Sequence, residues 1–294
     1  MKPIPDIACV GSALWDIIAR TDNPMAPASD VPGLIDRQPG GVALNIAIAL
    51  TKYGQRPGLL AVIGQDVDGD LLVDELYRHK LDDHFLTRSP DPTDRYMAIE
   101  CQGELFAAVA DCGSLERAGD EVLDPFTDGR LGTPSRPYTG LVIVDGNLPE
   151  ATLMSVSRPG LASAARQIFV PASPGKARRM RKLFGKQDAT LFLNRIEAEV
   201  MLERSFATSM EAATAVREQG CYAIVTDAGQ PVTLSRASTT VSMDIPVVDA
   251  VRATGAGDVF LAAFVAAEAR GEHDISCLQA AVDAATYHVS TAAR

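Results

Sequence analysis

Short apolar runs of four or five residues recur along the chain, with helix-patterned segments between them. This alternation is the strongest constraint on the fold. Strands separated by helices pair in parallel, and a parallel sheet is stable only when helices cover both of its faces. Residues 7–10 read as the first strand. Val42, Ile46, Ala49, Leu50 and Tyr53 then fall at i, i+4, i+7, i+8 and i+11, one face of a helix. Further strands are expected at 59–63, 141–144, 168–170, 191–193 and 223–226. Helical stretches are expected at 71–77 and near 149–157, 174–183, 195–202 and 208–218. The fold class is α/β with a mostly parallel central sheet.

Two stretches break the rhythm. Residues 95–101 and 104–110 are joined by Gln102-Gly103 and read as a hairpin. Residues 12–38 are irregular, punctuated by Pro24, Pro27, Pro32 and Gly33. These segments, near 12–38 and 93–112, are expected to form a small β-rich lid on one edge of a single domain spanning 1–294. Residues 127–139 read as a surface loop.

The chain carries 38 acidic and 27 basic residues, a formal charge of −11. Such a surface repels phosphate polymers and anionic membranes at long range, so neither nucleic acid nor membrane is an expected partner. No uncharged apolar stretch is long enough to span a bilayer. Cys9, Cys101, Cys112, Cys221 and Cys277 are odd in number and form no CxxC pair. That pattern argues against a disulfide framework or zinc site, and for a reducing cytoplasm.

Ala253-Thr254-Gly255-Ala256-Gly257-Asp258 is the most informative stretch. It opens a helix whose buried face is Ala256, Val259, Phe260, Ala263, Phe264 and Ala267. Small residues leave backbone N–H groups bare at a helix N-terminus, which makes an anion site. The same field is expected to hold Asp258 ionised, ready to take the proton of a hydroxyl that attacks phosphorus. Alone, the hexapeptide also reads as close packing with a favourable first-turn charge. Gly40-Gly41-Val42-Ala43-Leu44-Asn45 opens another helix, and Asp16 follows the first strand. The glycine pair admits a ligand to the backbone, and Asp16 and Asn45 offer acceptors and donors to hydroxyl groups. The alternative there is a plain turn with a capping Asn.

Asn194-Arg195-Ile196-Glu197 follows a strand. Asn194 and Glu197 share a helical face, where a carboxylate can hold magnesium through water or simply decorate a first turn. Lys176, Arg178, Arg179, Arg181 and Lys182 read as a solvated basic face or as contacts to nucleotide phosphates. Trp15 reads as a packed aromatic or a stacking platform for a base. His79, His84, His273 and His288 show no ligand spacing and receive no role.

In this order and at these separations, four elements resemble the ribokinase-like (pfkB-type) carbohydrate kinase family over nearly the whole chain. They are the strand with Asp16 at 7–16, the Gly-Gly-x-x-x-Asn of 40–45, residues 194–197 and the motif at 254–258. Stretches 29–35, 39–46, 103–111, 145–150 and 171–176 are most similar to pseudouridine kinases. The resemblance implies a three-layer sandwich with a lid, ATP as phosphoryl donor, Mg2+, and a nucleoside or sugar whose 5′-OH is the acceptor. It implies that Asp16, Gly40, Gly41 and Asn45 grip ribose-like hydroxyls and that 95–111 closes over the substrate. Gly255, Ala256 and Gly257 would form the anion hole and Asp258 would take the proton. Asn194 and Glu197 would organise the metal; Thr226, Gly229 and Thr254 would lie along the nucleotide.

Lids of such kinases often pair across a two-fold, so a homodimer through an edge strand near 95–111 is expected. Where the family has an Asp six residues before the base, this chain has Arg252. Its guanidinium is expected to stand in for a bound monovalent cation, with Asp249 as the alternative Asp. Ala228 and Pro231 replace favoured glycines after Thr226, and Val170 and Leu44 replace an Asp and a basic residue. The end at Arg294 is expected to leave out part of the adenine wall. A kinase of another sugar or nucleoside, and a nucleoside-binding protein without catalysis, are the competing readings. No GxGxxG follows the first strand, which argues against a nicotinamide-dependent dehydrogenase.

Overall fold

The computed structural model describes residues 3–162, 165–187, 189–237, 239–249, 251 and 254–291. The chain begins with β1 (Ile7–Val10), β2 (Leu14–Thr21), β3 (Leu34–Gly40), α1 (Val42–Lys52), β4 (Gly58–Leu60), β5 (Val62–Gly64) and α2 (Val67–Arg78). It continues through β6 (Thr87–Ser89), β7 (Arg95–Cys101), β8 (Glu104–Asp111), α3 (Gly113–Ala118), β9 (Leu141–Asp145), α4 (Glu150–Ser155) and β10 (Arg166–Val170). Then come α5 (Pro174–Ala177), β11 (Ala189–Asn194), α6 (Arg195–Leu202), α7 (Ser209–Glu218) and β12 (Tyr222–Asp227). The last elements are β13 (Gln230–Arg236), β14 (Thr239–Met243), α8 (Ala256–Ala269) and α9 (Asp274–Ser290).

Eight strands form the central sheet in the order β14-β13-β12-β11-β10-β9-β1-β4. The strands from β12 to β4 pair in parallel, and β13 and β14 close one edge as antiparallel partners. Successive strand residues point to opposite faces. Cys9, Ile143, Ile168, Phe192 and Ile224 pack on one side with α1, α2, α8 and α9. Val10, Val144, Phe169, Leu193 and Val225 pack on the other with α6 and α7. Both faces being covered is why these strands read as unbroken apolar runs.

A second sheet, of order β3-β2-β7-β8, forms the lid. Gln102 and Gly103 connect β7 to β8 with φ of 54° and 82°, the paired left-handed geometry of a tight hairpin turn. Residues 12–38 are more regular than expected: β2 and β3 occupy its two ends, and the prolines lie in the connection between them. The exposed edges are β3 and β8, while β7 is interior. One residue of the body holds three lid strands. Asp68, in the first turn of α2, accepts from Arg37 of β3 at 2.6 Å and Arg95 of β7 at 2.7 Å. Its carbonyl accepts from the Trp15 indole of β2 at 2.9 Å, and the Arg37 guanidinium lies 3.9 Å from the Trp15 ring centroid. Trp15 is thus a packed aromatic, 6% exposed. Two partly exposed ion pairs of this kind contribute about 0.5–2 kcal/mol together. Asp68→Ala is therefore expected to speed amide exchange several-fold in β3 and β7 while β1 and β9 keep their protection. Unchanged lid exchange would show that strand pairing alone holds it.

Two local expectations are corrected. The run 59–63 is not one strand: β4 stays on β1, while β5 leaves the central sheet to pair with β6. The stretch 174–183 is α-helical only to Ala177 and continues as a 3-10 helix over Arg178–Leu183. Its buried residues Ala177, Met180 and Leu183 recur every third position, the period of the tighter helix. In the basic run there, Arg178, Arg181 and Lys182 are exposed, as a solvated face would be, while Lys176 and Arg179 are half-buried. Arg179 donates to the carbonyl of Leu148 at 2.9 Å, Arg181 pairs with Glu203, and Lys182 with Glu150.

Candidate active site

The site begins where α8 does. Gly255 precedes the helix in the left-handed region, φ 81° and ψ −2°, a conformation that penalises any residue with a Cβ. From Phe260 to Ala267 every residue of α8 is buried, so the helix is fixed by apolar packing on all sides. The N–H groups of its first turn, Ala256, Gly257 and Asp258, have no acceptor inside the helix. Asp258 stands among these donors, and its carboxylate accepts from the Asn45 amide at 3.1 Å, across 213 positions of sequence. Burial, with the charges of Asp145 and Asp16 nearby, pushes the Asp258 carboxyl up to about 7, against the Asn45 hydrogen bond. The helix field was expected to hold this carboxylate ionised; burial instead raises its carboxyl. The result is a carboxylate poised near neutrality, as a general base requires.

Asn45 is placed by a chain of hydrogen bonds that starts on the sheet. Asp145, 1% exposed at the end of β9, accepts from the Ser12 N–H at 2.8 Å and from the Ser12 hydroxyl. The Ser12 hydroxyl accepts from the Val42 N–H at 3.0 Å, and its carbonyl accepts from the Leu44 N–H at 3.2 Å. A residue remote in sequence thus caps α1. Gly41, at φ 98°, lets the chain turn into this helix, and a Cβ there would meet the Ser12 carbonyl at 2.6 Å. Gly11 serves the same junction: a Cβ on it would lie 2.3 Å from that of Asp145. Asn147 donates to Asp145 at 2.8 Å and to Ser12 at 3.1 Å, and Lys176 donates to the Asn147 side chain.

Asp16 lies on β2, where the lid meets the body. Burial raises its carboxyl to about 6. Its carboxylate rests over Gly40, where a Cβ would come within 2.1 Å of Oδ2. Asn194 and Glu197 form a capping box at the start of α6. The Asn194 side chain accepts from the Glu197 N–H and the Glu197 carboxylate from the Asn194 N–H, each at 2.8 Å. Burial raises the Glu197 carboxyl. Arg195 ties this turn to β12 by donating to Asp227 at 2.8 Å. Among the described residues no group of three or more His, Cys, Asp or Glu side chains could hold a metal by itself. The capping box uses one Glu197 carboxylate oxygen, and the other is the oxygen that could reach an ion through water.

A cavity of about 520 Å³ opens beside the anion turn. Thr226, Gly229, Ala256 and Gly257 line it with the apolar side chains of Val232, Ile245, Val248, Phe260, Val282 and Val289. Thr254 takes another place, its carbonyl 2.8 Å from the ring nitrogen Nε2 of His288. Arg252 lies outside the described residues, so the cation-replacing guanidinium remains an expectation; Asp249 is exposed.

Asn45 meets Asp258, Asp16 rests against Gly40 with its charge felt at Asp258, and Thr226, Gly229, Ala256 and Gly257 share the cavity, while Asn194 and Glu197 bond to each other. Ser12, Asn147 and His288 were not singled out for such a role. Asp145 carried a sequence signal, an acid ending an otherwise apolar strand. Among the described residues no helix is long and apolar enough to cross a membrane.

Comparison with known proteins identifies the family and the fold. The family model described as pfkB family carbohydrate kinase matches residues 5–293. The chain is 24% identical over 205 residues to the pseudouridine-metabolizing bifunctional protein of Schizosaccharomyces pombe and 26% identical over 185 residues to the pseudouridine kinase of Arabidopsis thaliana. These matches take in 67% and 62% of this chain but only 26% and 46% of the relatives' own lengths. With the Escherichia coli pseudouridine kinase it is 26% identical, covering 87% of this chain and 81% of the relative. The fold is that of the Arabidopsis thaliana ribokinase solved with ribose and ATP, at TM-score 0.79, 18% identity and coverage of 99% and 94%. A family match of that extent, on a fold that joins two glycine-rich helix starts through Asn45 and Asp258, places the chain in the pfkB family of carbohydrate kinases.

Proposed function

We propose that the chain is an ATP-dependent kinase that phosphorylates the hydroxymethyl (5′-OH) group of a nucleoside or sugar, with pseudouridine the favoured acceptor. The observation that carries this reading is the Asn45–Asp258 contact, which sets a near-neutral carboxylate among free helix N–H groups beside the Asp16 cleft. Asp16 and the backbone at Gly40 and Gly41 hold the acceptor's hydroxyls, and the lid strands close over it. The apolar cavity takes the adenine of ATP, with Thr226 and Gly229 along the nucleotide and its phosphates directed at Ala256 and Gly257. The acceptor oxygen bonds to the γ-phosphorus, the bond to the β,γ-bridging oxygen breaks, ADP leaves, and the acceptor proton passes to Asp258. The N–H groups of the 255–257 turn stabilise the charge on the transferring phosphoryl oxygens. Mg2+ would offset phosphate charge when bound, with Asn194 and Glu197 the residues to hold it through water.

Pseudouridine is favoured because relatives carrying that name align with the chain. Magnesium-ATP turnover with pseudouridine, uridine, adenosine and ribose tests it. The highest kcat/KM is expected for pseudouridine. A preference for ribose or adenosine would reassign the substrate, and tight nucleoside binding without turnover would leave a binding protein. We also propose pairing of two copies through the lid edge, where Leu105, Phe106 and Val109 of β8 are exposed. A monomer by light scattering would exclude it.

A further inference from the structure

We infer that His288 is a positioning residue for phosphoryl transfer, holding the Thr254–Gly255 peptide so that the Gly255 N–H serves the anion hole. The inference rests on the kinase reading above and deepens it. The imidazole Nε2 lies 2.8 Å from the Thr254 carbonyl oxygen. A carbonyl only accepts, so Nε2 carries the hydrogen. The contact has a neighbour: the Val251 N–H donates to the Val289 carbonyl at 2.8 Å. Consecutive residues near the end of α9 therefore hold Val251 and Thr254, described residues just ahead of Gly255.

A peptide unit is planar and trans, so its C=O and N–H point in opposite directions. With the Thr254 carbonyl held toward His288, the Gly255 N–H points away from α9. It becomes a donor just ahead of the free N–H groups of Ala256, Gly257 and Asp258. A hydrogen bond to the carbonyl also polarises the peptide and strengthens its N–H as a donor. The clamp is needed because of Gly255 itself. Glycine accepts either sign of φ, so an unrestrained peptide before it can flip and turn its carbonyl toward the phosphoryl group. The imidazole also packs on this glycine: a Cβ there would lie 3.4 Å from Nε2 and 3.6 Å from Cε1 of His288.

The test uses His288→Leu, which cannot donate, and His288→Gln, whose amide can. Removing an oxyanion donor lowers kcat about 10²–10³-fold; misaiming one is expected to lower it about tenfold. The Leu variant should show that loss in kcat with acceptor KM and melting temperature unchanged. Its affinity for ADP with fluoroaluminate, which mimics the transferring phosphoryl group, should fall about as much, while ADP alone binds as before. Gln should restore most of both. The Gly255 amide resonance should shift in the Leu variant and return toward the parent position with Gln. Parent-like kcat and fluoroaluminate affinity in the Leu variant, equal weakening of ADP and its fluoroaluminate complex, or an unmoved Gly255 resonance would each overturn the inference. Absence of turnover in the parent chain with every acceptor would count against the kinase reading instead; the Gly255 resonance still decides the clamp.

Discussion

Asp258→Asn is expected to lower kcat by about 10²–10⁴-fold, the usual contribution of a positioned general base. Nucleotide affinity should hardly change, because the amide keeps the shape of the carboxylate and an oxygen to accept from Asn45. The parent's pH profile should carry the same signature. With its carboxyl near 7, Asp258 loses its capacity to accept a proton as pH falls through that value, so kcat/KM of the parent should fall with it. Stability should respond in the opposite sense. The folded-state carboxyl lies above the 3.8 of an unperturbed Asp, so between 3.8 and about 7 the folded chain binds more protons than the unfolded one. Its contribution to stability is therefore fully present below 3.8 and declines as pH rises through about 7. The Asn variant never ionises, so it should melt higher than the parent above neutrality, with the gap closing in acid. Near-parent turnover in this variant would remove Asp258 from the chemistry, and a lower melting temperature at alkaline pH would contradict the account of its burial.

The second large effect is expected from Gly40→Ala, which displaces the Asp16 side chain without replacing it. The new Cβ would sit 2.1 Å from Oδ2 and 2.3 Å from Cγ of Asp16, closer than atoms can pack. Gly40 lies outside the positive-φ region, so the backbone tolerates alanine and the strain falls on the Asp16 carboxylate. Displacing it forfeits hydrogen bonds to a charged group, each about 1.5–3 kcal/mol, or about 10–100-fold in acceptor KM. ATP affinity and the fold should survive, since the nucleotide cavity is lined by other residues. Acceptor titrations of Gly40→Ala and Asp16→Asn should therefore look alike. Parent-like acceptor binding in the alanine variant would mean that Asp16 does not grip the substrate.

Both effects depend on elements of unequal legibility. The parallel strands were readable because burial on both faces leaves only apolar residues between turn signals, as in β9 and β12. The lid hairpin was readable because Gln102-Gly103 supports the left-handed pair its turn requires. The start of α8 was readable because few sequences place such small residues before an acid at a helix N-terminus. The parting of β4 from β5 was not, since a run of apolar residues does not say which neighbour each half pairs with. The role of His288 was equally hidden, because its partner is a backbone carbonyl 34 positions away that any residue could supply.

By itself the sequence determined part of the local structure: which apolar runs are interior strands, where glycine admits a left-handed turn, and where α8 leaves its N–H groups bare. Those follow from near-neighbour sterics and the periodicity of burial. Tertiary structure alone decided that Asn45 meets Asp258, that Ser12 links Asp145 to the start of α1, and that Asp145 and Asp16 lie close enough to act on Asp258. The Asn45–Asp258 contact joins residues 213 positions apart, and the desolvation that moves the Asp258 carboxyl to about 7 exists only once the sheet, α1 and α8 have closed around it.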